Sequence, residues 1–377
     1  MEIDDGALVN FASSLVGTAS PSGQEGAVAA LVRAELERLG YAVEVDALGT
    51  VTGTLDGGDG PCVLLDAHMD TVGVSDRAAW SADPAGELRD GRLYGRGSVD
   101  MKGPLAALVH GAAAAARHGR VVVSASIAEE MIEGYATVEV ARRVRPDVAV
   151  ICEPSHRTVI VGQRGRAELI VDLHGRSAHS SRPDLGVNAV EAMADALRAA
   201  REVELPPPHP ALGPAILVVT DVISRPYPAL SVLPDRCTAT FDRRTLPGEQ
   251  ADDVLEPLRA VVEAAVAPHG ARAEVTLGID RFDAYTGTPI EAPNFAPAWY
   301  TGADAPVARA ALAAVGGEPG HWLFCTNGSG TAGLGIPTIG FGPGDETLAH
   351  RVDEHIELGE LRAGARDYAA LVEALTA

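Results

Sequence analysis

Seven residues carry side chains suited to holding divalent cations and moving a proton: His68, Asp70, Asp100, Glu129, Glu130, Glu153 and His350. Their local settings repeat. His68 and Asp70 follow the apolar run CVLLDA, the pair Glu129 and Glu130 follows VVVSASIA, and Glu153 follows VAVIC. Each is expected at the carboxyl end of a buried strand, and in an open α/β sheet those ends share one crevice where ligands bind. Asp100 lies in the loop GRGSVDMKG, which enters an Ala-rich helix expected at Leu105 to His118, and His350 lies just beyond IPTIGFG. Carboxylates are rarely buried without a partner or a metal, so this convergence points to a metal centre.

Charge balance favours two divalent ions. Two Zn²⁺ ions and one hydroxide are neutralised by neutral His68 and His350 with ionised Asp100, Glu130 and Glu153, which makes a buried site tolerable. A single aspartate can bridge two ions about 3.5 to 4 Å apart, and imidazole and carboxylate both suit zinc. Such a pair lowers the pKa of bound water to about 7 and stabilises the oxyanion formed at an attacked carbonyl. One carboxylate must stay unligated to take the proton. Adjacent Glu129 and Glu130 cannot share a position, so one can ligate while the other serves as general base.

The elements that would position these residues fall into two patterns. Up to residue 163, strand-like runs alternate with amphipathic segments such as Glu25 to Leu39, the pattern of an α/β layered domain. From Arg164 the chain reads AELIVDLHG, a helix at Asn188 to Glu202, AILVVTDVIS, DRCTATFDRR, a helix at Ala251 to Ala265, and AEVTL, which is a βαββαβ unit. After Pro289 come a helix near Val307 to Val315, the run IPTIGFG, and a helix at Glu360 to Leu375. The expected organisation is a discontinuous catalytic domain at 1–163 and 288–377, interrupted by a smaller domain at 164–287. The connectors GQRG and TGTP are candidate hinges.

Composition excludes other classes. With 30 Lys and Arg against 52 Asp and Glu, the net charge of −22 leaves no basic, aromatic-interleaved stretch for a nucleic acid. The acidic start MEIDDGALVNFASS lacks the basic residues of a secretory signal, and no apolar run reaches membrane-span length, so a cytoplasmic protein without membrane partners is expected. Cys62, Cys152, Cys237 and Cys325 are widely spaced and read as buried free thiols. Gly328, Gly330 and Gly333 form a G-x-G-x-x-G pattern, but Gly335 and Pro337 interrupt the helix that a dinucleotide site requires. Arg244, after TATFDR, could clamp a substrate carboxylate or form a surface ion pair. Asn327, in CTNGSG, could contact the substrate or make a turn.

The spaced motifs LLDAHMDTV, YGRGSVDMKG, IAEEMIEG, ICEP and GFGPGDETLAH resemble the zinc peptidase superfamily of aminoacylase, acetylornithine deacetylase, succinyl-diaminopimelate desuccinylase and carboxypeptidase G. The runs DRR and CTNG look most like a selenium-metabolism-linked hydrolase subgroup. The resemblance implies a zinc-exopeptidase-like α/β catalytic domain with an inserted α+β lid and dimerisation domain. It also implies two Zn²⁺ ions per subunit, with Co²⁺ or Mn²⁺ as substitutes. By the same resemblance His68 binds one ion and His350 the other, Asp100 bridges, and Glu130 and Glu153 ligate. Glu129 is then the base, Asp70 orients His68, and His179, in SAHSSRPDLGVNA, serves the oxyanion in a partner subunit of a homodimer. The expected reaction is amide cleavage in a small carboxylate-bearing molecule, foremost deacylation of an N-acyl amino acid. The alternatives are dipeptidase or carboxypeptidase action, and a non-catalytic scaffold of the same fold. Pro104 stands after DMKG where many relatives have Gly, which is compatible with a helix start.

Overall fold

The computed structural model describes residues 2–377 and shows two compact units. The first comprises residues up to Gln163, Asp280–Ala292 and Trp299–Ala377, and the second comprises Arg164–Ile279 and Pro293–Ala298. Segment 280–287, expected with the insert, groups with the first unit, where Tyr285 Oη donates to Gly49 O at 2.8 Å and Ile290 is buried. Segment 293–298 groups with the second, because Phe295 pairs with Ala167.

The first unit is built on a nine-stranded mixed sheet whose centre is parallel. Cys62–His68 lies between Arg120–Ser126 and Val148–Ile151, parallel to both, and Thr338–Gly340 runs parallel to Val148–Ile151. Every residue of Cys62–His68 is buried, as a strand covered on both faces requires. The covering helices include Lys102–Ala114, which packs against Asp5–Val16 and Leu358–Leu375. Helix Asp5–Val16, not expected from the sequence, is capped by Asp4, whose side chain accepts from the N–H groups of Gly6 and Ala7, and it buries Leu8, Phe11, Ala12 and Leu15. The Ala-rich helix begins at Lys102 and not at Leu105, so Pro104 occupies the first turn, where its missing N–H is tolerated.

The second unit is the expected βαββαβ arrangement. Its antiparallel sheet runs in the order Ile216–Arg225, Arg236–Thr245, Gly165–His174, Arg272–Leu277. Alternate residues of Gly165–His174, among them Ala167, Leu169 and Val171, pack with helices Ala189–Ala200 and Ala251–Val266 to make a separate core. All four cysteines are buried and none is in a disulfide. Among the described residues no helix is long and apolar enough to cross a membrane.

Candidate metal centre

Three neighbouring parallel strands deliver the ligands. His68 is the last residue of Cys62–His68, Glu129 and Glu130 follow Arg120–Ser126, and Glu153 follows Val148–Ile151. Asp100 comes from the loop that precedes helix Lys102–Ala114. His350 comes from the segment after Thr338–Gly340 and has a left-handed backbone with φ of +61°. Left-handed φ in a non-glycine residue persists only where the surroundings impose it.

These side chains meet around Asp100. Its Oδ1 lies 3.0 Å from His68 Nε2, and its Oδ2 lies 3.2 Å from His350 Nε2. Glu153 Oε1 stands 3.5 Å from His68 Nε2, and Glu130 Oε2 stands 3.0 Å from His350 Nε2. One carboxylate thus faces two histidines, each with a carboxylate of its own. Glu129 Oε2 is 3.9 Å from His68 Nε2, and His68, Glu129 and Glu153 all offer atoms within 4.8 Å of one another.

The residues that orient this group were only partly foreseen. His68 Nδ1 lies 3.0 Å from the Asp70 carbonyl oxygen and 3.4 Å from Asp70 Oδ1, so the main chain is the nearer acceptor. Bonding there places the ring proton on Nδ1 and leaves the Nε2 lone pair free for a cation. The Asp70 carboxylate has a larger task. It accepts from Glu129 N and Glu130 N, each at 3.1 Å, and from Ser22 Oγ at 2.7 Å. Glu25, fully buried, accepts from Ala128 N at 3.1 Å, and Ala128 is itself left-handed at φ +57°. Two buried carboxylates therefore hold the N–H groups of three consecutive residues and set the direction of both glutamates. Glu354, also fully buried, accepts from Val99 N at 3.0 Å and Asp100 N at 3.2 Å while pairing with Arg96. Neither Glu25 nor Glu354 has a periodic or motif signal, and each shows its role only as a buried acid with main-chain donors.

Asn327 corrects an expectation. It is buried, and its Nδ2 donates to Asp66 Oδ2 at 2.8 Å and Ser126 Oγ at 3.0 Å, while its Oδ1 accepts from Gly134 N at 2.7 Å. Both Nδ2 hydrogens are used within the fold and the side chain is buried, so Asn327 braces the strand ends. In the second unit, Arg244 makes a two-point pair with Asp242, with Nε–Oδ1 at 2.8 Å and Nη2–Oδ2 at 3.2 Å. His179 is exposed, and its Nδ1 accepts from Ser181 N at 3.1 Å, which leaves the proton on Nε2. The G-x-G-x-x-G segment is the six-residue helix Gly328–Gly333, too short for the dinucleotide arrangement.

Electrostatics test whether cations fit. Burial, with Asp100 and Glu130 adding to it and His68 opposing it, pushes Glu153 up to about 8. Burial likewise raises Glu129 well above the carboxylate range and raises Glu130. Burial would lower His68, but Glu153, Asp100 and Asp70 overcome it and hold it well above 6.5, while hydrogen bonds to Asp100 and Glu130 lift His350 to about 10. The carboxylates crowd one another and seek positive charge. Divalent cations between the two histidines would supply it, and the all-oxygen-and-nitrogen donor set suits them.

The comparisons with known proteins agree. The model of Peptidase family M20/M25/M40 matches residues 64–374. The uncharacterized protein YgeY of Escherichia coli (strain K12) is 31% identical over 384 residues, covering 97% of this chain and 93% of its own. Succinyl-diaminopimelate desuccinylase of Xanthomonas oryzae pv. oryzae (strain PXO99A) is 28% identical over 392 residues, covering 98% of each. The YXEP protein of Bacillus subtilis, described as a dinuclear metal binding peptidase from the M20 family, superimposes with a TM-score of 0.72 at 17% identity, covering 99% of this chain and 98% of that one. With the catalytic-type fold, the paired clusters about Asp100 and this match in hand, the chain belongs to peptidase family M20/M25/M40, metal-dependent hydrolases of amide and peptide bonds.

Proposed function

We propose that the protein is a di-zinc amidohydrolase that deacylates an N-acyl amino acid or a related small molecule bearing a free carboxylate. The observation that carries the metal reading is Asp100, with one oxygen toward each histidine. The desuccinylase likeness over 98% of the chain supports the substrate class.

Bound zinc, or Co²⁺ or Mn²⁺ in its place, would polarise the scissile carbonyl and acidify the attacking water. His68, Asp100 and Glu153 would hold one ion, and His350, Asp100 and Glu130 the other. Glu129 accepts the proton from water as its oxygen attacks the carbonyl carbon, then delivers that proton to the amide nitrogen as the C–N bond breaks. Its direction is preset by the Glu129 N to Asp70 bond. Arg244 would exchange Asp242 for the substrate carboxylate.

The working form is a homodimer in which His179 Nε2–H donates to the oxyanion in a second copy's site. Strand Ile216–Arg225 supports this assembly. It is an outer strand of its sheet, and Val218, Val219, Val222 and Ile223 are each 42–48% exposed. An apolar, unpaired strand edge is a template for pairing with another chain. Residence in the cytoplasm accords with four buried cysteines outside any disulfide.

The test is a hydrolysis screen of N-acyl amino acids and dipeptides, with and without chelator. Chelator-sensitive release of the amino acid from an N-acyl substrate is expected. Preference for dipeptides would replace deacylation with dipeptidase action, and turnover that survives thorough metal removal would overturn the mechanism.

A further inference from the structure

A cavity of about 270 Å³ lies in the first unit beside the segment that follows Asp70, and none of the metal-centre side chains lines it. Its charged lining consists of Arg77, Arg96 and Lys102, with no aspartate or glutamate. In a chain with 52 acids against 30 bases, a pocket of this sign is contrary to the composition.

The two inner cations lie near acids, Glu354 beside Arg96 and Glu354 with Asp70 acting on Lys102, but neither has all its N–H groups accepted. Lys102 is 1% exposed, and its Nζ donates to Thr18 O at 2.7 Å. It forms no ion pair among the described residues, with Glu354 and Asp70 acting on it only from a distance, and Thr18 O is the one acceptor of its three N–H groups among them. It is also the first residue of the 13-residue helix Lys102–Ala114, where the positive end of the helix dipole opposes its charge. Its stem is held in place by Gly97 at φ +83°, where a Cβ would come within 3.1 Å of Lys102 Cδ. Arg96 is 8% exposed, with Nη1 bonded to Glu354 and its guanidinium carbon 5.5 Å from the Trp80 ring, yet its Nε is buried without a partner. Buried cationic donors without acceptors are costly, and an anion in the cavity would satisfy them. Planar guanidinium and ammonium groups together suit the oxygens of a carboxylate or phosphate.

We propose that this cavity binds a small oxyanion, a carboxylate or a phosphate, at a site separate from the metal centre. Arg77, whose side chain is 68% exposed and which pairs with Asp83, would supply the outer charge.

The test is calorimetric titration of the metal-loaded protein with inorganic phosphate and, in a separate arm, acetate, which identifies the preferred oxyanion. Binding is read without substrate, so the result stands apart from the amidohydrolase reading. Lys102→Met should weaken affinity about tenfold or more, as loss of a charge-assisted bond implies, and Arg77→Glu should weaken it several-fold. Arg77→Glu alters an exposed side chain, so it decides the matter if Lys102→Met fails to fold. Equal affinity in wild type and Arg77→Glu would place the anion on the metals and overturn the site. Absence of binding of either probe at about 10 mM would overturn it as well.

Discussion

The two units hold their candidate residues in opposite ways. In the first, Asp70, Asp100, Glu129 and Glu153 are largely buried, and Asp70 accepts from Glu129 N, Glu130 N and Ser22 Oγ at once. In the second, Arg244 and His179 reach solvent and are occupied by near neighbours, Asp242 and Ser181. A buried network of this kind is preorganised, because each group's direction is set before anything binds. Arg244 must exchange Asp242 to act, whereas His179 acts through Nε2 with its Ser181 contact kept on Nδ1. Changes in the first unit should therefore strike turnover or metal content, whereas in the second unit a change at Arg244 should strike substrate affinity and one at His179 should strike turnover across the dimer.

The largest effect expected is at Glu129. Glu129→Gln should lower kcat by about 10²-fold or more with metal content unchanged, because the base is lost and the ligands are not. Loss of zinc in that variant would show that Glu129 and Glu130 have exchanged roles.

Mixing two inactive dimers sharpens the contrast between units. His179→Ala and Glu129→Ala homodimers should each be nearly inactive. Random reassortment makes half the dimers mixed, each with one intact site, so activity should recover to about one quarter of wild type. With subunit exchange verified independently, no recovery would mean that His179 does not act across the dimer.

A smaller effect is expected at Arg244. Arg244→Ala should raise KM for substrates with a free carboxylate by about 1.5 kcal/mol, the low end for a charge-assisted bond, since Asp242 must first be released. Equal weakening for an amidated substrate would refute the clamp.

Much of the metal centre was legible in the sequence because strand ends are simple to find. CVLLDA, VVVSASIA and VAVIC are continuous apolar runs, and a buried parallel strand demands just that. Residues that work through the main chain were not legible. Glu25 and Glu354 are held by donors far along the chain, Ala128 N and Asp100 N, and no local pattern encodes such pairings. Asn327 was misread for the same reason, since Asp66 and Ser126, which consume its donors, are about 200 or more residues away in sequence. The Asp5–Val16 helix was missed because its acidic cap drew notice as charge and not as a helix start.

The pH response of chelated protein should be the subtlest sign of the buried cluster. The folded value for Glu153, about 8, lies above its ordinary 4.5, and that for His350, about 10, lies above 6.5. In both cases the folded state holds the proton more tightly. Each contribution is complete below the unfolded value and is lost as pH rises through the folded one. Metal-free protein should therefore melt at lower temperature as pH climbs from about 5 to 8, and added Zn²⁺ should flatten that fall. A melting temperature that rises across this window would contradict the crowding of carboxylates.

The most direct test of the central claim is the metal content of purified protein after equilibration with Zn²⁺ and removal of excess, compared between wild type and Asp100→Ala. Wild type should retain two ions per chain, and loss of the shared carboxylate should deplete both positions. Less than one ion per wild-type chain, or two ions retained by Asp100→Ala, would contradict a dinuclear centre bridged by Asp100.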